Sequence, residues 1–301
     1  MGMTIIPVVP FKSITNDTVR SLAIKCLQIN RAGVPILLRF APQMNSGVYT
    51  YGFDPVSFVA LFREVTLAVR NLTNDTALIW APISSSLIPA ESYPGLTGNL
   101  TFNRLKALDT NNDGIINADD DPYSPYWPGD SFVDWIGFTV YPLVKFSNSS
   151  SNFTGVPIST DYPFVSALPA INSSPMDGNL TKTLTFENRV GTSGGFEAQL
   201  STFYDRFSRS KNLPMVIYGT SAPYYTFSPS TSGSNGFKIV DADSEVDIKL
   251  GWFSQLFNQT LLGVIFSLIF LGVRTCPVNC RSGLEREHLS NLDFPNESLQ
   301  L

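Results

Sequence analysis

The fold is decided by residues 4–40, TIIPVVPFKSITNDTVRSLAIKCLQINRAGVPILLRF. A strand-like run from Thr4 to Phe11 precedes an amphipathic helix pattern from Asp17 to Arg31. The turn Gly33-Val34-Pro35 then leads into a second apolar run, from Ile36 to Phe40. Because a helix separates the two apolar runs, the sequence predicts a βαβ unit with parallel strands.

The same alternation of strands and helices continues along the chain. The predicted elements are a helix from Pro55 to Asn71, strands from Ala77 to Pro82 and from Trp135 to Tyr141, a helix from Phe196 to Arg209 and a strand from Met215 to Thr220. These strands are near-continuous apolar runs, which indicates a sheet covered on both faces. The pattern favours an α/β fold of the (β/α)8 TIM barrel type, with a doubly wound sheet as the alternative. Neither Gly-rich phosphate-binding motif is present, which argues against nucleotide chemistry.

The composition is that of one compact domain. The 301 residues are 43% hydrophobic and 15% charged, which provides enough apolar side chains for one large core. The net charge of -5 is spread without acidic or basic runs, so no nucleic acid partner is expected. The 12% aromatic content suits a flat polar ligand such as a sugar.

Asn-x-Ser/Thr triplets are dense, which favours a secreted glycoprotein over chance occurrence in an Asn-rich and Ser/Thr-rich chain. They begin at Asn16, Asn71, Asn74, Asn99, Asn148, Asn152, Asn172, Asn179, Asn258 and Asn296. No signal peptide precedes Thr4, so the N-terminus is expected to be incomplete.

The cysteines and the last apolar stretch set two further limits. Cys26 lies in a helix pattern while Cys276 and Cys280 are near neighbours that could bridge, so the sequence supplies no disulfide framework. The apolar stretch from Leu261 to Val273 is shorter than the roughly 20 residues that span a bilayer. It therefore predicts a buried strand or helix, and no membrane partner is expected.

In a TIM barrel the chemistry lies at the carboxyl ends of the strands, so the candidate site residues follow the apolar runs. They fall in the ranges Arg39 to Asn45 and Trp80 to Ser84, at Tyr141, and in Tyr218 to Ser221. Long Ser-rich, Asn-rich and Pro-rich insertions, from Ser86 to Asp130 and from Ser147 to Glu187, are typical of loops that build a cleft.

Four segments carry a resemblance to a known family: LRFAPQMNSGVYTYG (residues 38–52), ALIWAP (77–82), YWPGDSFVDWIGFTVY (126–141) and PMVIYGTSAPYY (214–225). In sequence and in order, these segments resemble those of glycoside hydrolase family 26, the retaining β-mannanases. The chain most resembles a fungal-type member of that family. The resemblance implies a barrel domain over residues 1–260 that starts at the third barrel strand. The first two strands are thus expected to be missing, and residues 261–301 form an atypical tail.

The two catalytic positions of the family are changed in this chain. A retaining glycosidase needs an acid/base and a nucleophilic carboxyl group about 5–5.5 Å apart. Gln43 stands at the position that the resemblance gives to the acid/base, and Gly219 at the position of the nucleophile. An amide cannot protonate a departing alkoxide, and glycine has no side chain to attack the sugar. The resemblance therefore implies a pseudoenzyme.

Four side chains remain as candidates for contact with a polysaccharide such as β-mannan or β-glucan. They are Arg39, Asn45, Trp80 and Tyr141. For Trp80 and Tyr141 packing in the barrel core is an equally good interpretation, because aromatic residues on strands commonly pack there. Arg39 is a stronger candidate, because a buried Arg at a strand end needs a carboxylate or a ligand.

The remaining ionisable residues offer no replacement catalytic pair. Asp54, Glu64, Glu91, Asp130 and Asp134 lie in helices, loops or turns where we place no partner carboxylate. The lone His288 lies in the tail, so neither a His-based triad nor a zinc site is expected.

An EF-hand or dockerin-like loop lies within the first insertion. Oxygen side chains stand at loop positions 1, 3, 5, 9 and 12, with glycine at position 6 for the sharp turn. The predicted calcium ligands are Asp109, Asn111, Asp113, the backbone carbonyl of Ile115, Asn117 and Asp120. The alternative is a solvated turn, which would not require this full spacing. The predicted calcium is structural.

Three interpretations of function follow. The first is a secreted, catalytically inactive family-26-like protein that binds carbohydrate weakly or not at all. The second is an active mannanase-like glycosidase that uses carboxylates not yet placed. The third is a truncated or mis-spliced product with no stable fold. It is supported by the missing start and by the tail from Leu261, in which FLGVRTCPVNCRSGLEREHLS replaces the expected last strand and aromatic cleft residue.

Overall fold

The computed structural model describes residues 1–46, 49–84, 102–114, 116, 119–141, 143–144, 156–157, 181–184, 186, 190–191, 195–220, 222, 224, 238–257 and 299–300. Several predictions lie outside these residues: those on Ile115, Asn117, Glu91, Cys276, Cys280, His288 and the stretch 261–273. Within the described part, no helix combines the length and apolar character that crossing a membrane requires.

The centre of the fold is a parallel sheet. Its strands are β1 (Gly2–Ile6), β2 (Ile36–Phe40), β3 (Thr76–Trp80), β4 (Trp135–Val140) and β8 (Met215–Thr220), with β10 (Leu299–Gln300) on the outer edge of β1. Two small pairs lie apart from it, β5 (Leu143–Val144) with β6 (Val156–Pro157) and β7 (Thr181–Leu184) with β9 (Lys238–Asp241).

The order of the strands identifies the kind of sheet. The order β10-β1-β2-β3-β4-β8 never reverses between β1 and β8, and every one of these pairs is parallel. A doubly wound sheet reverses its order at a switch point, whereas a barrel wall does not. The five strands from β1 to β8 therefore form a curled half-barrel of the (β/α) type, and closure into a complete barrel stays a prediction.

The helices of the described residues are α1 (Asn16–Arg31), α2 (Pro55–Arg70), α3 (Phe102–Leu108), α4 (Phe196–Phe203) and α5 (Glu245–Phe257). Of these, α1, α2 and α4 begin within one residue of the predicted positions, whereas α3 and α5 were not predicted. Thr15 and Asp54 cap α1 and α2 by accepting the backbone N–H three residues further on. Gly33, with φ of +84°, ends α1 in the left-handed region that glycine adopts without cost. The helix predicted from Phe196 to Arg209 is an α-helix only as far as Phe203. From Tyr204 to Arg209 it continues as a π-helix.

The two faces of the sheet carry different side chains. One face packs against the helices and contains the large core, in which Leu38, Phe40 and Trp80 meet Phe58 and Phe62 of α2. The opposite, inner face carries a smaller cluster of Ile79, Ala81 and Val216, with Leu37, Trp135 and Tyr218 packed against it. Since side chains alternate along a strand, the register of each strand decides which residues reach the inner face.

Candidate functional site

A β-bulge lies near the carboxyl end of β8, the strand at the edge of the sheet opposite β10. Phe138 of β4 pairs with Ile217, but the next residue, Thr139, pairs with Gly219, so Tyr218 is the extra residue. A bulge places two consecutive residues on the same side of a strand. Tyr218 and Gly219 therefore both belong to the inner face, while Thr220 lies on the helix side and accepts a hydrogen bond from Trp252 Nε1 at 2.7 Å.

Arg39 is the charged residue of the inner face within the described part of the chain. Its guanidinium carbon lies 4.3 Å from the centroid of the Tyr218 ring, and its Nε donates to Thr4 Oγ1 at 3.2 Å. Burial lowers the pKa of Arg39 from its ordinary value, with tyrosine hydroxyls acting in the opposite direction. The same burial raises the pKa of Tyr218 to about 12. An uncompensated buried charge costs on the order of several kcal/mol.

Tyr141 lies beside the position predicted for the nucleophile. A Cβ built on Gly219 would be 3.3 Å from the Tyr141 hydroxyl oxygen and 3.4 Å from Thr139 Cγ2. The Tyr141 ring is largely buried, and its backbone carbonyl accepts Gln199 Nε2 at 2.9 Å, which fixes it to α4. The structure thus brings Arg39, Tyr218, Gly219 and Tyr141 to one end of the inner face.

The loop after β2 carries Gln43 in a constrained backbone. Ala41 and Gln43 have φ of +46° and +56°, which non-glycine residues adopt at a cost of about 1–3 kcal/mol each. The backbone N–H of Gln43 donates to Ala81 O at 2.8 Å, and its carbonyl accepts both the N–H and the hydroxyl of Ser46. Gln43 follows β2 and Gly219 closes β8, so both lie at the carboxyl edge of one parallel sheet.

Asn45 is committed to the backbone of the neighbouring loop. Its Nδ2 donates to Ile83 O at 2.8 Å, and its Oδ1 accepts Ile83 N–H at 2.9 Å. The side chain is fully buried. The Asn45 side chain therefore links the loop after β2 to the loop after β3 through two hydrogen bonds to the Ile83 backbone. The amide is directed at that backbone and not toward a ligand.

Trp80 lies on the helix face of the sheet, away from Arg39 and Tyr141. Its indole is fully buried, and Nε1 donates to Tyr126 O at 2.8 Å. Its ring stacks on Phe203 at 6.0 Å and meets Trp127 edge-on at 4.9 Å between centroids. Of the two interpretations left open by the sequence, core packing is the one that fits this geometry, because alternation along β3 directs Trp80 to the opposite face from Ile79.

Three of the five carboxylates that the sequence raised, Asp54, Asp130 and Asp134, have structural partners. Asp54 caps α2 and pairs with Arg104 of α3 at 3.0 Å. Asp134 pairs with Arg70 at 2.8 Å and also accepts the backbone N–H of Leu78, which joins α2 to the middle of β3. Asp130 accepts Lys211 Nζ and Trp127 Nε1, and these hydrogen bonds lower the pKa of Asp130.

The predicted calcium loop is described at Asp109 to Gly114, at Ile116 and at Asp119 to Asp120. Gly114, at loop position 6, has φ of +85°. The Asp109 carboxylate accepts the N–H groups of Asp113 and Gly114 at 3.1 and 2.9 Å. Asp120 is buried and accepts from Thr110 and Asn111 across the loop. Among the residues described, no group of three His, Cys, Asp or Glu side chains is arranged to hold a metal.

Comparison with known proteins gives a distant likeness to solved structures. No protein-family model and no curated protein matches the sequence. A GH26 β-mannanase from Bacteroides ovatus is 13% identical over 75% of this chain and 48% of its own, with a TM-score of 0.33. The GH26 domain of an endo-β-mannanase/endo-β-glucanase from Prevotella bryantii is 13% identical over 81% of this chain and 55% of its own, also at 0.33. The chain spans about half the length of these structures.

Sequence reasoning missed Thr4 as a contributor to the site, and it named Tyr218 only as part of the strand-end range from Tyr218 to Ser221, without a role. Thr4 binds the Arg39 side chain, and Tyr218 supplies the ring on which the guanidinium rests. The sequence places Tyr218 at a strand end, but a bulge leaves no signal in a single sequence, and without it only one of Tyr218 and Gly219 would face inward.

Proposed function

We propose that this chain is a secreted, family-26-like protein that binds carbohydrate without hydrolysing it. The observation that supports the proposal most directly is the make-up of the inner face at its carboxyl end. Arg39, Tyr218 and Tyr141 provide a cation, an aromatic face and a hydroxyl there, which are groups that orient sugars. Beside them, Gln43 and Gly219 replace the groups that would break a glycosidic bond.

The chemistry of hydrolysis fails at two steps in this arrangement. The leaving oxygen needs a proton, and general acid catalysis contributes about 10²–10⁴ in rate. The Gln43 amide has no acidic proton to give. The anomeric carbon needs a carboxylate nucleophile, and Gly219 offers only a hydrogen atom. A polysaccharide such as β-mannan or β-glucan is therefore proposed as a ligand and not as a substrate.

We expect no release of reducing sugar from β-1,4-mannan or β-glucan above a blank, and none from Gln43→Glu alone. Residues that act as a unit are strongly non-additive, so one restored carboxylate leaves the nucleophile missing. Gln43→Glu combined with Gly219→Glu is the informative variant, and we expect little activity from it because the strained loop must hold the acid to within about 0.5 Å. Calorimetric titration with β-1,4-mannotetraose, with Tyr141→Phe as the matched variant, measures the retained binding. Clear turnover by the unmodified chain would contradict the proposal in favour of an active glycosidase.

We also propose that calcium is bound in the loop from Asp109 to Asp120 and stabilises the first insertion. Asp109, Asn111, Asp113 and Asp120 would hold the ion, together with Asn117 and the carbonyl of Ile115. The loop follows α3, which the Arg104–Asp54 ion pair joins to the start of α2. Bound calcium would supply positive charge among these carboxylates and lower their mutual repulsion.

For this loop, we expect 100-fold excess of calcium over its Kd to raise the free energy of unfolding by about 2.7 kcal/mol. Urea unfolding with calcium and with a chelator measures the difference. Asp109→Asn should remove most of it, because Asp109 stands at loop position 1. Asp17→Asn, an exposed Asp in α1, is the matched control and should keep the full effect. Equal stability with calcium and with chelator would show that the segment is a solvated turn.

A further inference from the structure

Arg39 has more hydrogen-bonding capacity than its surroundings use. A guanidinium has five N–H donors, and in the described part of the chain only Nε is engaged, by Thr4 Oγ1 at 3.2 Å. The guanidinium carbon lies over the Tyr218 ring, 4.3 Å from the ring centroid. No ion pair joins Arg39 to a carboxylate of the described residues.

The charge balance at this end of the inner face is therefore positive. An active retaining enzyme would hold two carboxyl groups here, and at least one of them would be ionised. With Gln43 and Gly219 in those positions, Arg39 is left as the charged group of the described inner face. Two carboxylates at this place would repel a negatively charged ligand. The unneutralised Arg39 cation attracts such a ligand instead.

We propose that the site selects a carboxylate-bearing sugar, a uronic acid unit within a β-1,4-linked oligosaccharide, through a two-pronged contact with Arg39. This inference rests on the proposed function, since it names the class of carbohydrate that the site binds. A planar carboxylate matches the fork of terminal guanidinium nitrogens, which can make two parallel N–H···O bonds. The Tyr218 ring lies against the planar guanidinium, and the Tyr141 hydroxyl lies beside Gly219 at the same end of the inner face. The lowered pKa of Arg39 agrees with a guanidinium that lacks a neutralising partner.

The test compares two sugars that differ only at carbon 6. Calorimetric titration of the full chain with β-1,4-dimannuronate and with β-1,4-mannobiose measures the preference for the carboxylate. We expect the dimannuronate to bind at least about tenfold more tightly at low salt, with the preference falling as ionic strength rises. Arg39→Gln should abolish the preference, and Arg39→Lys should keep only part of it, because an ammonium group cannot make the two-pronged contact.

Arg63→Gln is the matched control. Arg63 also lies over an aromatic ring, at 5.3 Å from the Phe132 centroid, but it belongs to α2 on the helix side and donates to Pro128 O. Its loss should leave the preference for the dimannuronate unchanged. If Arg39→Gln does not fold, Arg39→Lys and the salt dependence of the unmodified chain carry the same test.

The possible outcomes separate this inference from the proposed function. Equal affinity for both sugars, or a preference that survives in Arg39→Gln, would overturn the uronic acid inference and leave carbohydrate binding intact. Binding of neither sugar, nor of mannotetraose, would overturn the proposed function and this inference with it. A salt-sensitive preference that disappears with Arg39 supports both.

Discussion

Trp80→Ala is expected to lower the free energy of unfolding by about 3–5 kcal/mol, the range for removing a large aromatic side chain from a core. Three features contribute: complete burial, the hydrogen bond from Nε1 to Tyr126 O, and ring contacts with Trp127, Phe203 and Phe207. Urea unfolding followed by circular dichroism measures the loss. Because Trp80 joins β3 to α4 and to the segment before β4, the variant should also unfold at lower temperature.

Two variants check the interpretation of Trp80. Trp80→Phe keeps most of the apolar contact and leaves the Tyr126 carbonyl without its donor, so a cost of about 1–3 kcal/mol is expected. Trp135→Ala removes a partly buried indole from the inner face and should cost less than Trp80→Ala. A Trp80→Ala chain that is as stable as the unmodified chain but loses sugar binding would return Trp80 to the ligand site.

Asn45→Ala is expected to cost about 2–4 kcal/mol in the free energy of unfolding, since each unsatisfied buried polar group costs about 1–3 kcal/mol. In the variant, the backbone N–H and carbonyl of Ile83 lose the hydrogen bonds that they make with the Asn45 amide at 2.9 and 2.8 Å. The measurement is again urea unfolding at neutral pH. Asn45→Asp should rescue little, because a carboxylate accepts from Ile83 N–H but cannot donate to its carbonyl.

Asn103→Ala is the matched control for Asn45, because Asn103 is exposed on α3. Its replacement should change stability by less than about 0.5 kcal/mol in either direction. If Asn45→Ala were equally mild, the two hydrogen bonds to Ile83 would not hold the loops together, and a direct role for Asn45 at the ligand would regain support.

The strands β1, β2, β3, β4 and β8 and the helices α1, α2 and α4 could be predicted from the sequence because each follows a local rule. The helices α3 and α5 and the short strands β5, β6, β7, β9 and β10 were not predicted. Predicted and observed strands agree within about two residues except at the first, which ends at Ile6 and not at Phe11. Pro7 and Pro10 explain the difference, since proline has no backbone N–H to give to a sheet. Thr15 and Asp54 are N-cap residues, and their residue types indicate in the sequence where α1 and α2 begin.

The composition of the site could be predicted only in part, because it depends on contacts between distant segments. Arg39 was the strongest candidate from its strand-end position, and the structure gives it a place on the inner face. Trp80 and Asn45 are also near strand ends. The register of β3 directs Trp80 to the core, and the Asn45 amide is hydrogen-bonded to the backbone of Ile83 in the neighbouring loop. No local pattern distinguishes an amide that binds sugar from one that binds backbone.

The bulge at Tyr218 also determines the surroundings of any side chain introduced at position 219. Because it sets Tyr218 and Gly219 side by side, a glutamate introduced at 219 would emerge next to the ring that supports Arg39, with the Tyr141 hydroxyl 3.3 Å from its Cβ. Under the proposals above, that glutamate would neutralise the cation that attracts acidic sugars. The same glutamate that supplied a nucleophile would therefore weaken the binding of uronic acids, so the two properties would oppose each other at this position.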